Sequence, residues 1–518
     1  MAARTLSQRV AFEMDCEPLG GLVGYRVGGE RLVSKDTRIS FVTTGWLLQW
    51  LVANLQKAAA DGNDLLSPLD TVRGRRGASS SDSFVEGIFA DVSEGANWSH
   101  IVLDEVHERS LDTDLLCMLL RRATAAAGKH APKMVVMSAT LDAKLFASYF
   151  SLGLQPGAIA DWKLNDRGRE KETGKIGAGV GISPIHVGAK RFPVSITFLD
   201  QILRENSVQR PRSLEEGKAR IEAGLDPFAD TGRLDRITLP SFVSRAVLRA
   251  MEKLSVTADE ASRPGKSRPG LDEVVLAPTE EQARLKLAVY LASRVCRPGE
   301  TVLVFLSGLA DIMSCCEMCE DEVVVPVDVQ RTLDVIPMHS LLPQEEQMRA
   351  FTSDGKPPAG AGGARFGSDN EDEADSRASE DEEATDIAPL PHVRAYSAGD
   401  EEDSGVALDR SQVRRIVFAT NIAESSITIP DVTTVIDLGH HKELRYDSRL
   451  GAAVLKQCFV SKASAIQRSG RAGRLGPGKC FRLYPEHFFE AVMPGFDQPE
   501  MLRLPLDSTV LRCRAMGL

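Results

Sequence analysis

HIVLDEVHERS, residues 100–110, decides how the rest of the chain is read. The apolar run Ile101, Val102 and Leu103 predicts a buried strand that stops at Asp104 and Glu105. In an open α/β sheet, the carboxyl ends of parallel strands are where ligands bind. Two carboxylates there can divide the work of phosphoryl transfer: Asp104 can hold a Mg2+ ion through water, and Glu105 can orient or deprotonate an attacking water. His107, in the same turn, can carry a hydrogen bond to a second element. Taken alone, an acidic pair after a strand also fits ordinary surface charge.

Around this stretch the pattern is one of alternating strands and helices. Strands are expected at 39–42, 101–103 and 135–137, with a helix at 111–122, and the pattern returns at 301–305, 335–337, 415–419, 434–437 and 480–483. Two α/β lobes with parallel sheets account for it, the first over 1–151 and the second over 188–518. Residues 152–187 read as a flexible linker or insertion and 73–83 as an exposed loop. Residues 201–298, helical around 242–254 and 280–289, read as a small excursion from the second lobe. Residues 355–403 are expected to be disordered, since an acidic Gly/Ala/Pro-rich segment has little to bury.

The net charge of -11 comes from that segment. Residues 369–386 hold ten acids against Arg377, and Asp400, Glu401, Glu402 and Asp403 follow, so the remainder carries +2 and a basic channel is compatible with it. The acidic run is a candidate docking element for a basic protein partner. Nine cysteines without a disulfide-like spacing favour a reducing compartment, and Cys316 with Cys319 reads as part of a helix or, alternatively, as half of a metal or redox pair. The N-terminus has no signal-peptide core and no run of 18 apolar residues occurs, so a monomeric intracellular protein of cytoplasm or nucleus, without a membrane span, is expected.

Further motifs carry chemistry. After the 135–137 strand come Ser138 and Thr140, hydroxyls that can bridge two active elements or simply cap a helix. QRSGRAGR, 467–474, sets Arg468, Arg471 and Arg474 three apart at an expected helix start, suited to a triphosphate, with Gln467 placed for a water or phosphate contact. Gly470 and Gly473 are costly in a helix unless a close approach requires them. Thr420, Asn421 and Thr428 in FATNIAESSITIP, and Arg38, Thr43 and Thr44 ahead of a helix, can hold nucleic-acid phosphates; helix capping explains several of them equally well.

In this order the segments resemble the DEAH/RHA family of superfamily 2 ATP-dependent RNA helicases, with Val106 where the signature usually has alanine. The likeness runs over 3–148 and, with interruptions, 190–518. Its most specific parts are MHSLLPQEEQMRAF (338–351), GHHKELRYDSRLG (439–451) and QRSGRAGRLGPGKCFRLYPEHFFE (467–490). The resemblance implies two RecA-like lobes, ATP or another NTP with Mg2+ as cofactors, and RNA as partner. It makes Asp104 the metal-side carboxylate and Glu105 the water-activating one, couples His107 to Gln467, and lets Ser138 and Thr140 link turnover to unwinding. Arg471 and Arg474 would meet the γ-phosphate, and Phe351 would stack on the base or else make an apolar helix contact. Thr43, Thr44, Thr420, Asn421 and Thr428 would touch the RNA backbone, and 445–459 resembles a strand-separating hairpin element. A GxxxxGK[ST] loop should precede the first matched segment, yet Met1 lies beyond that point, and GKS at 265–267 has Glu260 in place of glycine and RPG after it. The expectation is therefore a first lobe lacking its first strand and phosphate loop, a chain truncated at both ends relative to the family, and impaired hydrolysis. A non-catalytic RNA-binding or scaffold paralogue is the other reading.

Overall fold

In a computed structural model of the chain, the described residues are 2–16, 18–60, 89–91, 96–127, 131–138, 145–146, 149–150, 192–208, 241–263, 270, 273–342, 349–350, 410–424 and 429–515. The expected linker at 152–187, the loop at 73–83, the acidic segment at 355–403, GKS at 265–267, and the site candidates Thr140, Phe351 and Thr428 lie outside them. The chain divides into two compact units. One comprises Met1–Ala189, Leu444–Leu455 and Asp497–Leu518, and the other Lys190–Glu443 and Lys456–Phe496. Residues 444–455 and 497–518 thus group with the first unit.

In the first unit, β1 (Val23–Val27) pairs antiparallel with β2 (Glu30–Leu32) and parallel with β3 (Ile39–Val42). After the short hairpin β4 (Ala90–Asp91) and β5 (Ala96–Asn97) comes β6 (His100–Leu103), parallel to β7 (Lys133–Val136). The helices Thr44–Ala60 and Leu111–Ala127 share one core with this pair: Leu48, Leu51, Leu55, Leu116 and Leu120 meet Ile101, Leu103 and Val106. Those leucines recur at helical spacing, which gives each helix one apolar face to bury. Fully burying such a side chain contributes about 1.5–3 kcal/mol.

The second unit is built on a six-stranded sheet. Its strands are β8 (Val194–Phe198), β9 (Thr301–Phe305), β10 (Leu333–Met338), β11 (Arg414–Ala419), β12 (Val432–Asp437) and β15 (Gly478–Arg482), in the order β10-β11-β9-β12-β15-β8. Every pairing is parallel. β9 is buried at all five positions because both faces of the sheet are covered, which is why it reads TVLVF rather than alternating polar and apolar. Val302, Val304 and Phe418 face one core, and Leu303, Phe305 and Val417 face the other. Strands β13 (His440–Asp447) and β14 (Ala452–Phe459) pair with each other as a two-stranded hairpin, of which 444–455 group with the first unit.

Two expectations change here. The helix Pro278–Val295, read as part of a peripheral excursion, supplies Leu285, Leu287, Ala288, Val289 and Leu291 to the main core of the second unit. The helix Ser241–Ala261 packs Ala250, Leu254 and Ala258 against Phe488 and Phe489. Strand β8 had no counterpart in the sequence reading, because as the edge strand it leaves Ile196 exposed and shows no sustained apolar run. Cys315, Cys316 and Cys319 lie on the helix Leu309–Glu320 and are buried; burial, then Glu320 and Glu317, pushes the Cys316 thiol up to about 12. No cluster of three metal-ligating side chains occurs among the described residues. Nor is any helix there long and apolar enough to cross a membrane.

Candidate functional site

In the first unit the carboxylate motif forms a tight turn at the carboxyl end of β6. Asp104 is exposed and its Oδ1 accepts the N–H of Glu105 at 2.9 Å. The 3-10 turn Val106–Glu108 is bracketed by two left-handed residues, Glu105 at φ 52° and Arg109 at φ 53°. Side chains other than glycine occupy that region at a cost of about 1–2 kcal/mol each, so the surroundings must hold the turn. Val106 is fully buried and donates its N–H to the carbonyl of Met137 at 3.3 Å, while Met137 donates to Leu103 at 2.7 Å. Met137 thereby ties the ends of β6 and β7 together and sets Ser138, exposed, immediately beyond the tie. His107 Nδ1 stands 3.3 Å from Glu105 Oε2. Arg109 forks onto both oxygens of Asp114, at 2.7 and 3.0 Å.

The donors ahead of the helix Thr44–Ala60 lie in the same unit. Thr43 is exposed, and its Oγ1 accepts the N–H of Trp46 at 3.4 Å, so it caps that helix. Thr44 and Arg38 are also exposed. Arg26, on β1, lies over the rings of Trp46 and Trp98, 5.1 and 5.9 Å from their centroids.

In the second unit the arginine motif straddles a helix end. Gln467 and Arg468 are in the last turn of the helix Lys462–Ser469, and Arg471 and Arg474 follow Gly470 in the turn beyond it. The expected helix start is thus a helix end. Gly473 is required by a close approach: a Cβ there would stand 2.7 Å from the carbonyl of Phe192, just ahead of β8.

The three arginines have different fates. Arg468 is fully buried; Nε donates to Glu424 Oε2 and Nη1 to Asp437 Oδ1, each at 2.9 Å, and Nη1 also reaches the carbonyl of His440. Burial opposes its charge, but Glu424 and Asp437 outweigh that and raise its pKa. The structure therefore places this guanidinium in an internal ion network rather than at an open phosphate site. Arg471 is buried too, with Nε and Nη2 both donating to the carbonyl of Glu424. Arg474 is exposed and Gln467 half-buried. Thr420 is buried at the start of the 3-10 turn Asn421–Ala423, and Asn421 is exposed.

Glu424 had not been singled out from the sequence. It lies one turn past β11, and its carboxylate also accepts the Ser464 hydroxyl, so one residue anchors two arginines and a helix. Asp437, at the end of β12, is fully buried and also accepts the Tyr484 hydroxyl at 3.1 Å. Beside it, burial and then Arg284 hold His440 well below the usual histidine range. For Asp437 a signal existed in its position at the carboxyl end of an apolar strand, the same signal that marked Asp104.

The chain is similar to several known proteins. Residues 397–476 match the helicase conserved C-terminal domain. The chain is 27% identical over 523 residues to the DExH-box ATP-dependent RNA helicase DExH3 of Arabidopsis thaliana, covering 100% of this chain and 32% of that protein. It is 27% identical over 520 residues to the ATP-dependent RNA helicase TDRD9 of Danio rerio, covering 100% and 26%. A crystal structure of the Escherichia coli DEAH/RHA helicase HrpB has a TM-score of 0.49 at 21% identity, covering 100% of this chain and 40% of that one. The chain thus spans about a third or less of the length of these two curated relatives. The chain thus combines parallel α/β units, a carboxylate turn, an arginine turn and a helicase C-terminal domain match, and along its whole length it is similar to ATP-dependent RNA helicases of the DExH-box kind.

Proposed function

We propose that this chain is the nucleotide-hydrolysing core of an ATP-dependent RNA helicase, with residues 1–151 and 188–518 as its two RecA-like lobes. The observation that carries the reading is the turn at the end of β6, where Asp104, Glu105 and His107 converge under a strained, tightly held backbone. The residues fit Mg2+. That ion is usually held by one or two carboxylates, with water and substrate phosphate completing its shell, and Asp104 is an exposed carboxylate with no protein cage around it among the described residues. When bound, the metal would neutralise phosphate charge. Glu105 orients the attacking water, and His107 Nδ1 lies 3.3 Å from its carboxylate.

Arg471, steadied by the Glu424 carbonyl, and the exposed Arg474 stabilise charge on the transferred phosphoryl group, and Gln467 contacts the water or the γ-phosphate. Arg468 acts one step back, fixing the helix that carries Gln467. Thr43, Thr44, Arg38, Thr420 and Asn421 contact the RNA backbone, and Ser138 links the hydrolytic turn to that contact. A second reading is an RNA-binding scaffold without turnover. RNA-stimulated ATP hydrolysis by the purified chain, abolished in Glu105→Gln, supports the first. RNA binding that is indifferent to nucleotide and to Glu105→Gln supports the second.

A further inference from the structure

The turn that carries Glu105 and His107 is gripped by a residue almost four hundred positions away. Glu500 opens the 3-10 turn Glu500–Leu502; its N–H donates to the carbonyl of Arg109 at 3.1 Å, and its Oε2 accepts the N–H of Leu111 at 2.7 Å. The two bonds flank Ser110, whose hydroxyl caps the helix Leu111–Ala127 at the N–H of Thr113. They therefore hold the left-handed backbone of Arg109 from the carbonyl side while Asp114 holds its guanidinium. From Glu500 the path continues to the hairpin. Arg503 donates through Nη1 to the carbonyl of Leu444 at 2.7 Å and accepts the N–H of Tyr446 at 2.8 Å, both on β13. All of these residues belong to the first compact unit.

We propose that Glu500 is a positioning residue, one that fixes the 104–109 turn through Arg109 and Leu111 and ties its geometry to the β13–β14 hairpin. A capping carboxylate alone would need only the Leu111 contact. The reciprocal bond to Arg109 instead places the clamp on the strained residue two positions after His107. The catalytic consequence rests on the role proposed above for Glu105 and His107, whereas the clamp itself does not.

The test uses the full chain and two measurements. In amide hydrogen exchange, Glu500→Ala speeds exchange at 106–111 by about tenfold, since a charge-assisted bond to a main-chain N–H is lost. Glu500→Gln, which keeps an oxygen acceptor for Leu111, restores most of the protection. Glu500→Pro also removes the bond to Arg109; the extended Pro499, at φ -53° and ψ 141°, accepts a following proline, so the larger loss reports the second arm of the clamp. Arg503→Ala speeds exchange at the same amides with no direct contact to them, which reports the link to the hairpin. In Mg-ATP hydrolysis, Glu500→Ala lowers kcat with KM unchanged and Glu500→Gln recovers it. Exchange at 106–111 within about twofold of wild type in Glu500→Ala and Glu500→Pro overturns the clamp. Protection that responds to Glu500 but not to Arg503 overturns the hairpin link, and a raised KM at constant kcat overturns the positioning role. Absence of hydrolysis in the wild-type chain would count against the proposed function and leave the exchange result to decide the clamp.

Discussion

Removing the carboxylate of Glu424 tests whether the arginine turn is held by ion pairing or by packing. In Glu424→Ala, Arg468 keeps Asp437 and the His440 carbonyl but loses its Nε partner, and the Ser464 hydroxyl loses its acceptor. Breaking one side of a buried ion pair typically costs about 3–5 kcal/mol when the remaining charge is left unpaired, and here Arg468 keeps Asp437 as a partner. Arg468 is fully buried and the Glu424 side chain is 14% exposed, so the low end, about 3 kcal/mol, is expected. Every 1.4 kcal/mol is about tenfold in an equilibrium constant, so the folding equilibrium constant of the second unit falls by about two orders of magnitude. With m values of about 1–3 kcal/mol/M, the urea midpoint drops by about 1–3 M, measured by circular dichroism. Glu424→Gln keeps an oxygen but not the charge, and loses about half as much. A cost below about 0.5 kcal/mol in Glu424→Ala would refute the reasoning, since surface substitutions without a structural role fall in that range.

Other predictions follow from single features. His440, held neutral by burial and Arg284, remains unprotonated when folded, whereas in the unfolded chain it takes up a proton below pH about 6.5. The unfolded state then binds more protons, so stability falls on acidification from that pH down to the depressed folded value, by up to about 1.4 kcal/mol per pH unit. In His440→Asn, urea titrations over that window show a shallower slope; an unchanged slope refutes it. Of the nine free cysteines only Cys16 and Cys513 are not buried, so a thiol reagent under native conditions labels these two while Cys117, its thiol raised to about 11 by burial and Asp114, stays protected. Gly473→Ala puts a Cβ 2.7 Å from the Phe192 carbonyl and costs about 1–3 kcal/mol, read as a lower melting temperature. No change would mean that β8 can shift freely.

The parts most legible in the sequence were those governed by local rules. Strands β3 and β9 were read at their observed bounds, because an apolar run of strand length between turn residues has few other uses. The carboxylate turn was equally visible, since Asp104 and Glu105 follow such a run directly. What long-range partners decide was harder to see. Arg468 and Arg471 share one residue type and one motif, and only the structure shows that Arg468 is enclosed by Glu424 and Asp437, 44 and 31 positions away. The helix Pro278–Val295 was read as part of a small excursion because the turn-rich ASRPGKSRPG precedes it; in the fold it belongs to the main core, and its Arg284 guanidinium is buried and satisfied by the carbonyls of Leu483 and Leu438. Glu500 gave no local signal, because its role is defined by Arg109 and Leu111.

The strand order has a practical consequence for dissecting the molecule. The segment 397–476 that matches the helicase C-terminal domain contributes β11 and β12, yet these two strands never touch: β9, encoded at Thr301–Phe305, lies between them and bonds to both. A recombinant fragment cut to the matched segment would lack the strand that joins its own halves. It would present bare apolar edges to other copies and aggregate, so expression boundaries for the second unit belong upstream of β8.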